Sequence, residues 1–429
     1  MKSLFAALFA SLLVLAALFP AQAQTFRWVQ YAPGGLEARA AVPPSPDPRL
    51  GDSPNPCPRL TIDGLAAPMQ VRAAPGEKYP VTICAAPLPA GAKTALIDDL
   101  LLPLPKPRPN RILLIGDTGC RLKGAAVQEC NSLSQWPFRL NSDVAAFEKP
   151  DLVIHVGDYH YRETACPLGN YGCSGAPFGD NWNVWRADFF APAEALLNAA
   201  PWIFVRGNHE DCDRGGLGWA RALSPEAFDE TRGKHGCVAA EAPFPINIGG
   251  VTVLDMDVSS AVEEVEVPEQ AAAFAKQFAL AKDVAGPVWV AMHRPAFAED
   301  APEKTQLRGD NRTLEAALRA GLSPQMTMIL SGHHHTFEAM GYGADLPVQM
   351  VSGEGGDSLS PFAPHEVKGL NINGAMVTEG MALPGQFGFA ILERPADDAT
   401  GLNWTLTAYD THAAVLGRCR IAGRRLDFQ

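Results

Sequence analysis

The sequence predicts an α/β fold with a small β-rich extension at its N-terminal side, and three observations carry that prediction. From Arg111 onward, short apolar runs alternate with longer amphipathic stretches, the signature of strands and helices in turn. Five of those apolar runs are followed at once by turn motifs rich in Gly, Asp, Asn and His. Residues 24–108 lack the alternation and are instead rich in Pro, Gly and Ala.

Taken in order, residues 1–23 read as a signal peptide. Lys2 is followed by an apolar run from Leu4 to Phe19 and by Ala21-Gln22-Ala23, a charged start, a hydrophobic stretch and a small-residue cleavage site. The mature chain is expected to start at Gln24. The run is short for a bilayer span of about 20 residues. Nothing later is apolar enough for long enough to span a membrane, so a soluble secreted or periplasmic protein is expected.

Residues 24–108 carry short β-type runs, Leu60-Thr61-Ile62 and Tyr79-Pro80-Val81-Thr82-Ile83, and end in Pro103-Leu104-Pro105-Lys106-Pro107-Arg108-Pro109, which reads as an extended linker. They are expected to be a β-rich N-terminal module or lid, or an extension packed on the rest. Residues 109–429 are the expected catalytic domain. Candidate buried strands are Ile112–Ile115, Leu152–Val156, Trp202–Val205, Val251–Leu254, Val288–Ala291, Met326–Leu330 and Val348–Val351. Helical stretches are Trp182–Asn198, Gln270–Val284, with Pro268 suited to an early position, and Arg312–Ala320. After Pro384 the runs Phe387–Leu392 and Trp404–Tyr409 look like an added sheet. In such an architecture ligands bind beyond the carboxyl ends of the strands.

Composition narrows the function. A formal charge of −12, or −13 once Lys2 leaves with the signal, argues against binding a phosphate backbone, which needs clustered Lys and Arg. No nucleic-acid surface is expected. Nine cysteines in an exported chain point to disulfides. Local spacing suggests Cys57 with Cys84, Cys120 with Cys130, Cys166 with Cys173 and Cys212 with Cys237, leaving Cys419. No CxxC pair argues for a zinc cluster.

The five motifs are Gly116-Asp117-Thr118-Gly119, Gly157-Asp158-Tyr159-His160-Tyr161, Gly207-Asn208-His209-Glu210, Val290-Ala291-Met292-His293 and Gly332-His333-His334-His335. Oxygen and nitrogen ligands that converge where strands end make a two-metal hydrolytic centre. The ordered set resembles the calcineurin-like metallophosphoesterases, and within them the purple acid phosphatases, whose blocks read GDxG, GDxxY, GNH[DE], VxxH and GHxH. Gly119 and Tyr161 stand where the wider superfamily usually has His and Asp, the pair of departures that marks the purple subgroup.

The resemblance implies a four-layer α/β/β/α sandwich and a ligand for every motif. Asp158 would bridge the two metals. Asp117, Tyr161 and His335 would complete the first site, and Asn208, His293 and His333 the second, with His334 pointing elsewhere. A phenol is a poor ligand for Zn²⁺ or Mg²⁺ at neutral pH but a good phenolate on Fe³⁺, so iron is expected at the first position. Fe²⁺, Zn²⁺ or Mn²⁺ could fill the second.

His209 is expected to give a proton to the leaving alcohol or to hold phosphate oxygens, with Glu210 orienting its ring. His160 faces either substrate or solvent. His155, Asp255 and Asp257 read as structural. Trp182, Trp185 and Phe189 are spaced for a buried helix face, while the Gly-rich stretch 169–180 is suited to a loop over the site, braced by Cys166 and Cys173.

The implied activity is hydrolysis of small phosphate monoesters by direct attack of a metal-bound hydroxide, with no covalent enzyme intermediate. Phosphodiesters or nucleotide anhydrides are the alternative substrates on the same site. A non-catalytic exported binding protein is the rival from another class, and the full ligand set argues against it.

Overall fold

The computed structural model describes residues 24–44, 56–298, 311–361 and 363–428. The expected signal peptide lies outside the described residues. Strands whose two faces are both apolar must be covered on both sides, and Arg111–Ile115 shows how. Ile112 and Leu114 pack inward against Trp289 and Leu330 of a second sheet, while Leu113 and Ile115 pack outward with Phe138 and Phe189. Helix Phe138–Phe147 and the aromatic segment after Trp182 cover the first sheet. Helices Pro268–Ala279 and Arg312–Gly321 cover the second, through Phe274, Phe278, Leu314 and Leu318. The result is the four-layer α/β/β/α sandwich.

Among the described residues the first sheet has eleven strands. Its centre is three parallel neighbours, Arg111–Ile115, Leu152–His155 and Trp202–Phe204. The second sheet has seven, with Thr252–Asp255, Val288–Ala291, Met326–Ser331 and Val348–Ser352 in parallel array. Both sheets therefore present the carboxyl ends of several parallel strands.

The C-terminal runs do not form a sheet of their own. Gly388–Glu393 pairs antiparallel with Arg111–Ile115, Ala390 opposite Leu114, and Asn403–Asp410 and the later strands extend that edge. At the other side Phe26–Ala32 pairs parallel with the Trp202 strand, Gln30 opposite Trp202, and carries Gly35–Val42, Thr82–Leu88 and Gln70–Ala73 outward with it. Residues 26–42 and 70–88 thus continue the large sheet.

The expected helix from Trp182 to Asn198 is broken. Trp182–Trp185 is helical, Arg186–Phe190 widens into a π turn closed by the Ala191 N–H on the Arg186 carbonyl at 2.8 Å, and helix resumes at Glu194–Leu197. Pro192 has no N–H to continue the ladder. Trp182, Trp185 and Phe189 are all buried, so the face survives the break.

All four spaced cysteine pairs form disulfides, Cys57–Cys84, Cys120–Cys130, Cys166–Cys173 and Cys212–Cys237, and Cys419 is buried and free. No described helix is long and apolar enough to cross a membrane.

The N-terminal strands also grip the chain beyond the third motif. Arg39 Nη1 donates to the carbonyls of Ala222 and Ser224 at 2.7 and 2.9 Å. Arg72 donates to those of Ala220, Arg221, Ser224 and Glu226. Carbonyls at the end of the turn Trp219–Leu223 would otherwise lack donors, and guanidinium groups suit that negative end.

Candidate metal centre

Each expected ligand lies just past a strand end. Asp117 follows Arg111–Ile115, Asp158 and Tyr161 follow Leu152–His155, and Asn208 follows Trp202–Phe204. His293 follows Val288–Ala291, while His333 and His335 follow Met326–Ser331. Because these strands are parallel within their sheets, their ends gather the side chains in one place.

One group forms around Tyr161, which is fully buried. Its hydroxyl oxygen is 2.8 Å from Asp117 Oδ1, 2.9 Å from Asp158 Oδ2 and 3.1 Å from His335 Nε2. His335 Nδ1 lies 2.8 Å from the Ser358 carbonyl and 3.3 Å from Asp357 Oδ2, which turns Nε2 toward the phenol. Burial, with Asp117 and Asp158 adding to it, pushes the phenol well above its usual range. Burial opposes charge on His335, but Asp357 and Asp117 lift the ring to about 9.

The other group forms on the far side of Asp158. His293 Nε2 is 3.0 Å from Asn208 Oδ1 and 3.2 Å from Asp158 Oδ2, and its Nδ1 faces the Val156 carbonyl at 2.8 Å. Ligand atoms of Asp158, His293 and His333 lie within 4.8 Å of one another. Burial opposes charge on His293, yet Asp158 raises it to about 9. His333 Nε2 meets Glu263 Oε1 at 2.7 Å and Arg294 Nη1 at 3.2 Å.

This donor set fits metal ions. The Tyr161 hydroxyl has one proton, while two carboxylates and an imidazole stand within reach of it. His293 is drawn toward its charged form by Asp158, and His335 by Asp357 and Asp117. Cations would replace those protons and satisfy every donor atom at once. In each of His293 and His335 one nitrogen is fixed by a backbone carbonyl and the other faces the carboxylates, the usual orientation of a metal-binding imidazole.

The backbone is strained at these positions. Asp117, Asp158 and His333 have φ of 54°, 58° and 72°, a left-handed region that non-glycine residues seldom adopt. Gly157 has φ of 102°, and a Cβ on Gly207 would stand 2.1 Å from Asp158 Oδ1. Glycine is thus what lets the second and third motifs touch.

His209 packs on Tyr161 with ring centroids 3.9 Å apart, and its Nε2 is 3.8 Å from Asp158 Oδ2. The expectation that Glu210 orients this ring does not match the geometry. Glu210 Oε1 accepts from the N–H groups of Tyr159 and His160, and Oε2 from those of Asp158 and Gly207, so Glu210 ties the Asp158 loop to the third motif. Glu163 stands at the ring instead, with Oε1 3.0 Å from Nδ1, beside the His160 carbonyl at 3.0 Å.

His160 faces neither substrate nor solvent; it is buried against Trp185, with Nε2 3.2 Å from the Gly179 carbonyl. His155 is a core residue stacked on Tyr159, and Asp257 pairs with Arg206 at 3.1 Å. His334 is buried, its ring 5.7 Å from that of His333.

Sequence reasoning missed Glu163, Glu263, Asp357 and the arginines paired with them, because none lies in a motif. Glu163, Asp357 and the arginines share a signal, a charged residue within a few positions of a motif or of a strand end, and Glu263 lacks even that. Arg121 Cζ lies 4.9 Å above the Tyr161 ring and pairs with Asp357.

The calcineurin-like phosphoesterase family model matches residues 110–337, more than half of the chain. A purple acid phosphatase, PPD1, from yellow lupin (Lupinus luteus) seeds superposes with a TM-score of 0.58 at 14% identity, over 92% of this chain and 74% of that one. PhoD superposes with a TM-score of 0.54 at 12% identity, over 99% of this chain and 93% of that one. At such identities the likeness shows the fold alone. No curated protein matches the sequence.

Proposed function

This chain belongs to the calcineurin-like phosphoesterases and is a metal-dependent phosphoester hydrolase, and from that premise we propose that it is an exported, purple acid phosphatase-like monoesterase. The observation that carries the reading is the Tyr161 hydroxyl held between Asp117, Asp158 and His335. A phenol so placed suits Fe³⁺. We assign Asp117, Asp158, Tyr161 and His335 to that ion, and Asp158, Asn208, His293 and His333 to a divalent partner, Fe²⁺, Zn²⁺ or Mn²⁺. The pair of ions, when bound, supplies an activated water and neutralises charge on the phosphoryl oxygens.

The chain's own residues do the rest. Glu210 fixes the loop that carries Asp158 through four backbone N–H groups. Asp357 and the Val156 and Ser358 carbonyls fix which nitrogen each imidazole presents. To His209 we assign the proton that the leaving oxygen needs, and Glu163 supports its far nitrogen. The four disulfides support export, as a cytosol would keep such thiols reduced.

The test is a panel of phosphomonoesters, diesters and nucleotide anhydrides, with iron, zinc and manganese measured in the same sample. About two metals per chain and fastest turnover of monoesters is the expected result. Preference for diesters or anhydrides would move the substrate assignment, and a metal-free, inactive protein would remove it. His209→Ala should keep both metals and lose ~10²–10⁴-fold in rate, most for alkyl phosphates.

A further inference from the structure

Arg214 lies outside every motif, yet it stands at the edge of the centre. Its Nη2 is 2.6 Å from His209 Nε2, the nitrogen that is itself 3.8 Å from the bridging carboxylate Asp158 Oδ2. Nε donates to Glu163 Oε1 at 3.0 Å, Nη2 donates to the same oxygen, and Nη1 donates to the Asn208 carbonyl at 3.2 Å. A guanidinium has five N–H groups. Those contacts use four, so one N–H on Nη1 is left over. The side chain as a whole is 21% exposed, so the guanidinium stands at the edge of the centre and not in the core.

A cation held this rigidly against His209, whose Nε2 is 3.8 Å from the Asp158 carboxylate, is built to meet an anion. Glu163 fixes the plane of the fork, and the Asn208 carbonyl fixes its reach. We propose that Arg214 is a substrate-contacting residue that donates from Nη1, and on binding from Nη2, to non-bridging phosphate oxygens, and so selects phosphomonoesters over phosphodiesters. The Nη2 hydrogen bond passes from His209 to the phosphate, and the Nε2 lone pair that accepted it is then free to take a proton from water and pass it to the leaving oxygen. A monoester near pH 7 carries close to two charges and three free oxygens, whereas a diester carries one charge and two, so a two-pronged donor discriminates between them. The inference rests on the monoesterase reading above and adds to it the residue that sets the preference.

The experiment uses Arg214→Gln and Arg214→Lys in the metal-loaded protein at pH 7. Three quantities are read: bound metal, affinity for inorganic phosphate by calorimetry, and kcat/KM on p-nitrophenyl phosphate and bis(p-nitrophenyl) phosphate. R214Q should keep both metals but bind phosphate about tenfold to a hundredfold more weakly, the worth of a charge-assisted hydrogen bond. Its monoester-to-diester ratio should fall by a similar factor through a raised KM, and R214K should recover part of both. Unchanged phosphate affinity and ratio in R214Q would overturn the assignment and leave Arg214 as a tie between Asn208 and Glu163. Loss of metal in R214Q would overturn it too. A wild-type protein that prefers diesters would overturn the monoesterase reading instead, whatever R214Q does.

Discussion

The two halves of the centre share Asp158 but are not equally closed. Around Tyr161, Asp117 and the phenol are fully buried, the hydroxyl touches three other donor groups, and the supporting Asp357 is itself buried. Around His333, the outer nitrogen meets Glu263 and Arg294, whose side chains are 27% and 13% exposed. Glu263 belongs to the loop between strand Thr252–Asp255 and helix Pro268–Ala279, not to a strand end. The carboxylate that supports the first position is sealed from water, and the one that supports the second is not. We therefore expect the Tyr161 position to hold its ion more tightly and the His333 position to exchange.

The largest effect should come from what the halves share. Asp158→Asn removes the one carboxylate common to both, so both metals should weaken together, and activity should fall by ~10³-fold or more, since the ions supply several kcal/mol of transition-state stabilisation. Elemental analysis that finds one ion at full occupancy would show that Asp158 serves a single half.

Paired substitutions then test the asymmetry itself. Asp357→Asn removes the carboxylate beside His335 Nδ1 and should weaken the first ion about ten- to a hundredfold, the usual scale for a group that orients a ligand. Glu263→Gln should change affinity for the second ion by less than about tenfold, because Glu263 is part-exposed and loop-borne. Competition titrations with a chelator read both. Equal losses would mean the halves are equally preorganised.

The smallest effect concerns the support of the Asn208 loop. Arg206 donates to the Glu210 carbonyl and pairs with Asp257, which accepts from the Glu241 N–H at 2.9 Å. Burial, then the nearby Asp257, lift the Glu241 carboxyl from 4.5 to about 7. Between those values the folded chain keeps a proton that the unfolded chain has lost, so this group's contribution is full below 4.5 and fades as pH rises through about 7. Glu241→Gln should flatten the fall in melting temperature between about pH 4.5 and 7. A fall as steep as in the wild type would place the titrating group elsewhere.

The central strands were legible because each is a short apolar run that ends in a chemically distinctive turn, and the five turns agreed in order. The disulfides were legible because partners lie close in sequence. What the sequence hid was pairing at a distance. Nothing local to Phe26–Ala32 says that it lies beside Trp202, or to Gly388–Glu393 that it lies beside Arg111. The same limit explains Glu210 and Glu163. Glu210 is next to His209 in the chain, but the turn Asn208–Glu210 aims it at the Asp158 loop, and Glu163 reaches the ring from another motif's far side. Adjacent residues in a tight turn point apart.

The claim that matters most is that Tyr161 is a metal ligand in a closed half-site. Iron-loaded, aerobically purified protein at high concentration should show a visible charge-transfer band from a phenolate on Fe³⁺, and Tyr161→Phe should abolish the band while keeping some activity with Mn²⁺. A colourless wild-type protein whose site holds iron would contradict that claim, as would a band that survives in Tyr161→Phe.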